Sequence, residues 1–231
     1  MGLSHSPRIV TDGLVLCLDA ANKRSYPGAG TTWTDLKGSN HGTLTNGPTF
    51  SSDNGGGIVF DGTDEYVDCG NGADLNFDSG QSFSLSIWYR CTDTRGALIT
   101  KGYETTSQAK PWYMLWANNN DGDISIYLRT SSNQSYTTNE NNNTANDQWF
   151  NIVGTFDAGN SVSYTYTNGV RGSARESIAD DSYGTNVRNF IIGKHSTNSI
   201  IGRVSSVHVY NKALTADEVR QNYLAIKGRY A

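Results

Sequence analysis

The sequence predicts an all-β protein, an antiparallel β-sandwich with one short C-terminal helix, formed by residues 1–231 as a single domain. Three observations carry that prediction. The stretch from Ser82 to Arg90 sets Phe83, Leu85, Ile87 and Tyr89 against Ser84 and Ser86, the period-two pattern of a half-buried antiparallel strand. Turn signals recur about every ten residues, a sandwich spacing rather than that of a parallel sheet. Leu, Ala, Glu and Lys are scarce outside the C-terminus, while Gly, Thr, Ser and Asn are abundant, a composition of short strands and turns.

The elements follow in order. Leu14, Leu16 and Leu18 alternate with Val15, Cys17 and Asp19, which predicts a first strand buried on one face. A turn-rich stretch containing Trp33 leads to two short strands, Ile58–Asp61 and Glu65–Cys69, about a Gly-Thr-Asp turn. After the Phe83 strand come Ala97–Lys101 and Trp112–Trp116, then a hairpin turn at Asp121-Gly122 into Ile124–Leu128. Asn133 to Asn146 is a polar loop dense in Asn and Thr. Trp149–Phe156 is apolar on both faces and belongs at a sheet centre. Val162–Thr167 turns at Asn168-Gly169, a primed-turn pair. Thr215 and Glu218 form a capping box for the terminal helix. Val219 and Tyr223 share its packing face, and Gly228 stands at its stop.

Composition excludes several function classes. A formal net charge of -4 with scattered Lys and Arg gives no electrostatic reason to bind nucleic acid or anionic lipid. No apolar run approaches membrane-spanning length and no signal peptide opens the chain. The loose acylation pattern at Met1-Gly2 carries nothing on its own. Three cysteines, Cys17, Cys69 and Cys91, are too few and too dispersed for a zinc site or disulfide framework, so they are expected as buried thiols.

Catalytic constellations are missing too. Asp64-Glu65, Asp180-Asp181 and Asp217-Glu218 are adjacent pairs, which on a strand point to opposite faces, whereas glycosidases need two carboxylates across one bond. His5, His41, His195 and His208 meet no serine in a nucleophile elbow. The expectation is therefore a protein that is not an enzyme. Sugar binding needs a flat aromatic ring beside amides or carboxylates. Trp112 and Trp116, running into Asn118, Asn119 and Asn120, offer both. Trp112, Met114 and Trp116 share one strand face, and such a face serves equally as core. Trp33 is a further aromatic candidate.

The last forty residues resemble the closing motif of laminin-G-like, concanavalin A-type jelly-roll domains: Ile201-Gly202-Arg203-Val204, Val207–Asn211, then Leu214–Val219. Leu16–Ala20, Gly57–Val67, Phe83–Tyr89 and Trp149–Phe156 resemble further segments of that family, in its order. The resemblance implies a jelly roll that serves mainly as a binding scaffold. It also allows a rim calcium held by hard oxygen ligands, for which Asp61, Asp64, Asp121 and Asp123 are the candidates; the same aspartates equally serve turns by bonding their own backbone, and Ser205-Ser206 stand where relatives often carry carboxylates. The opening, from Gly13 through Trp33-Thr34-Asp35-Leu36 to Pro48, is similar to laminin-G-like proteins of tailed bacteriophages. That similarity implies a virion protein made in the host cytoplasm. Its expected role is a lectin-like or adhesive module of the surface or fibre, recognising a glycan or cell-surface ligand. The alternative is a decoration protein that binds other virion proteins, with a glycoside hydrolase the remote third. Fibre-like roles favour a symmetric homo-oligomer.

Overall fold

The computed structural model describes residues 7–93, 97–102, 112–117, 123–140, 144, 146–196 and 198–230. Two eight-stranded sheets stack face to face, and every strand pair is antiparallel. The first runs Val170–Arg175, Val162–Thr167, Trp149–Asp157, Phe83–Asp93, Ile201–Tyr210, Gly57–Asp61 and Thr49–Ser51, with Leu14–Asp19 also pairing along Ile201–Tyr210. The second runs Ser135–Glu140, Ile124–Arg129, Trp112–Ala117, Ala97–Lys101, Phe190–Ile192, Tyr66–Asp68, Gly42–Thr45 and Thr32–Trp33. Trp149–Asp157 lies between two partners, the central place its two apolar faces predict.

The core between the sheets is aromatic at one end. Phe83 stacks on Phe77 with centroids 4.4 Å apart, and Tyr113, Phe156 and Tyr183 close around it. Tyr113 enters this layer from the second sheet, and its hydroxyl donates to the Leu75 carbonyl at 2.9 Å, so its one polar atom is satisfied. Toward the middle, at Gly154, the sheets leave little space for a side chain. A Cβ on Gly154 would stand 3.0 Å from Ile126 and 3.2 Å from Leu115.

The outer face of the first sheet is covered as well, which the sequence alone does not predict. Ser84 and Ser86, expected at a solvated face, are buried. Ser84 Oγ donates to the Lys212 carbonyl and accepts from the Leu214 amide. Trp88 on the same face is stacked by Tyr223 and Tyr230. The helix Ala216–Ile226 supplies this cover, starting from the predicted capping box, with Glu218 N donating to Thr215 Oγ1 and Thr215 N to Glu218 Oε2. Val219 packs with Val10, Leu14, Val153 and Tyr210 beneath it. Arg229 then binds both oxygens of Asp19, at 2.8 and 2.9 Å.

Three further expectations are corrected. The first strand is buried on both faces, because a bulge between Leu14 and Leu16 turns Leu14 toward the helix while Leu16 and Leu18 enter the core. Gly228 is no left-handed stop, since a 3-10 turn over Lys227–Arg229 continues the chain. Within the predicted polar loop, Ser135–Glu140 is an edge strand paired with Ile124–Arg129, its alternation carried by Tyr136 and Thr138 facing inward. The three cysteines are buried, as expected, and Asn168 and Gly169 adopt the paired positive φ of the predicted turn.

Replacing Gly154 by Ala is expected to cost about 1–3 kcal/mol through overpacking against Ile126 and Leu115. Urea unfolding checks this, and an unchanged midpoint refutes the close approach of the sheets.

Candidate functional site

Register decides which side chains the second sheet displays. Tyr113, Leu115 and Ala117 belong to the core, so the alternate residues Trp112, Met114 and Trp116 face outward. Ile124, Ile126 and Leu128 likewise point in, turning Ser125, Tyr127 and Arg129 out. Cross-strand pairing then builds a grid: Arg129 is opposite both Trp112 and Ser135, Tyr127 opposite Met114 and Thr137, Ser125 opposite Trp116 and Asn139.

That grid lines a cleft of about 350 Å³ with Trp112, Met114, Trp116, Tyr127, Arg129, Ser135, Thr137 and His195 around it. Trp112 and Met114 form its floor, only 4% and 5% exposed, with Ala97 packed beside them. Trp116, Tyr127 and Arg129 are half-buried and keep surface toward solvent. His195, from the short strand Lys194–His195, meets the Trp116 ring edge-on at 4.9 Å and 90°. Burial pushes the His195 pKa down to about 4, so the imidazole is neutral at pH 7. Ser125 Oγ donates to Asn139 Oδ1 at 2.6 Å at the far end of the grid. Aromatic faces with a guanidinium and hydroxyls at the rim suit a ligand with both apolar C–H surface and polar groups.

The predicted site residues divide. Trp112 and Trp116 lie together in the cleft, on the outward face of their sheet. Trp33 is fully buried in the inter-sheet core and presents no ring surface to a ligand. Asn118, Asn119, Asn120 and Asp121 lie outside the described residues, as does the Asp121-Gly122 turn. Asp123 stands at the start of Ile124–Arg129, half-buried, with Oδ1 unpartnered. Asp61 and Asp64 share one exposed turn, where Asp61 Oδ1 accepts from the Thr63 amide and Asp64 Oδ2 from Asn46 Nδ2. Among the described residues, no group of three or more His, Cys, Asp or Glu could hold a metal ion.

Met114, Tyr127, Arg129, Ser135, Thr137 and His195 are added by the structure. Alternation in Ile124–Arg129 marks Tyr127 and Arg129 as opposite in facing to Ile126 and Leu128, which was the available signal. His195 has none, because its place depends on a contact with a residue 79 positions earlier in the chain.

The family whose profile covers residues 61–220 is described as the concanavalin A-like lectin/glucanases superfamily. This chain belongs to that superfamily. No curated protein matches it. Among solved structures, the concanavalin A-like jelly roll is shared with domain 4 of AbnA, an extracellular arabinanase from Geobacillus stearothermophilus, in complex with arabinotriose. The TM-score is 0.70 at 17% identity, over 96% of this chain and 100% of that one. The CBM40 of the Ruminococcus gnavus IT-sialidase gives 0.55 at 18% identity, over 71% and 94%. The receptor-binding domain of botulinum neurotoxin D gives 0.70 at 12%, over 92% and 52%. At such identities the likeness establishes the fold alone.

Two histidines make acid stability a test of this arrangement. Burial also pushes His208 down to about 4, partly opposed by the attraction of Asp19. Each histidine binds its proton more weakly folded than unfolded, so stability is full above the ordinary value near pH 6.5 and falls as pH drops toward 4. Thermal melts between pH 7 and 4 are expected to show that fall, and His208→Asn to flatten it. A melting temperature independent of pH over this window contradicts the burial of both rings.

Proposed function

We propose that this chain is a non-catalytic glycan-binding module whose ligand docks in the Trp116 cleft. The observation that carries the proposal is the outward-facing grid, in which half-exposed Trp116 and Tyr127 stand over a buried Trp112–Met114 floor with Arg129 and hydroxyls at the rim. Sugars present apolar C–H faces and polar edges, and that pairing matches the lining. Membership of a lectin and glucanase superfamily supports it. So do the structural relatives solved with arabinotriose and with sialyllactose. The non-catalytic part rests on the lining, which has no Asp or Glu among the described residues where glycosidases place two. A place on a phage surface or fibre rests on the opening segment's resemblance alone.

A glycan array probed with the purified chain is expected to give binding to a restricted class of oligosaccharides. Trp116→Ala is expected to weaken it about tenfold, the upper range for loss of one aromatic contact, with the melting temperature little changed. Chelator is expected to leave affinity unaltered, because no carboxylate among the described residues lines the cleft. Retention of full affinity by Trp116→Ala moves the site elsewhere, and turnover of a fluorogenic polysaccharide overturns the non-catalytic assignment.

A further inference from the structure

The cleft's electrostatics narrow the class of sugar, an inference that rests on the glycan-binding proposal above. Arg129 lies at the Trp112 end of the grid. Its two terminal nitrogens donate to Ser135 Oγ and Asn133 Oδ1, both neutral, and its Nε is buried without a partner. A guanidinium has five N–H donors, so these contacts leave three unused. Elsewhere Arg90, Arg203 and Arg229 each pair with an aspartate. No described carboxylate pairs with Arg129, and none lines the cleft. With His195 neutral at pH 7, Arg129 carries the one formal charge among the described lining residues.

An aromatic pocket holds organic cations well when nothing opposes them, but here a fixed positive charge does. The same charge beside low-dielectric rings attracts an anion more strongly than it would on an open surface. We infer that the cleft takes an acidic sugar, with a carboxylate or sulfate on Arg129 and a pyranose face against Trp116. Positions 112 and 116 are about 13 Å apart along the strand, four residues at roughly 3.3 Å each. The free N–H groups suit a carboxylate or a sulfate, either of which can accept paired bonds from a guanidinium.

Calorimetric titration tests this with sialylated lactose, sulfated lactose and lactose itself, and with an oligogalacturonide beside its methyl ester. At least one anionic probe is expected to bind about tenfold or more tighter than its neutral parent, the scale of a charge-assisted hydrogen bond. The carboxylate and sulfate arms identify which anion is preferred. Added salt is expected to narrow the gap. Arg129→Gln is expected to erase it, Arg129→Lys to retain part of it, and Trp116→Ala to weaken every probe. Equal affinity for each anionic probe and its neutral parent overturns the acidic-sugar assignment and leaves the glycan module standing. Binding to no probe by the folded chain overturns both.

Discussion

Burial of Tyr113, Leu115 and Ala117 between the sheets is the constraint from which the cleft follows. A strand has two faces, and filling one from alternate residues commits the others to the opposite side. With Tyr113 locked against Phe77 and Phe83 and bonded to the Leu75 carbonyl, Trp112, Met114 and Trp116 have nowhere to go but outward. A slip of one residue would bring the tryptophans into a core with no room for them, given how closely Gly154 meets Ile126 and Leu115. Core packing and ligand surface are thus one decision made at one strand.

The two sheets treat their outer faces differently. The first carries small polar residues, Ser84, Ser86 and Asn151, under a roof made by the terminal helix and the aromatic pair Tyr223 and Tyr230. The second carries large rings and an arginine around a 350 Å³ hollow. Between them, the buried ammonium of Lys101 donates to Asn71 Oδ1 and to the carbonyls of Gly184 and Arg188, at 2.6, 3.0 and 2.8 Å. This ties the loop around Asn71 to the loop holding Gly184 and Arg188, using all three donors of the amine.

Much of the fold is legible in the chain because its signals are local. Alternation at Phe83–Tyr89, the Asn168-Gly169 turn and the Thr215–Glu218 cap each depend on residues within a few positions. What escapes is what distant residues decide. Nothing near Ser84 announces that Lys212 and Leu214 will cover it. Trp33 sits in a turn-rich stretch that looks exposed, yet its strand pairs at Gly42 and its ring ends in the core. The parity of Trp112 and Trp116 is plain in the sequence, but which face it names depends on packing from the other sheet. Arg129 and His195 become site residues only through cross-strand neighbours.

Both ends of the described chain lie on the roofed sheet. Gln221 Nε2 donates to the Arg8 carbonyl, Val10 N donates to Asn222 Oδ1, and Arg229 is anchored to Asp19. The hollow opens from the opposite side of the sandwich. A carrier fused at either terminus, or a solid support coupled there, would therefore sit behind the domain and leave the aromatic mouth pointing away from it.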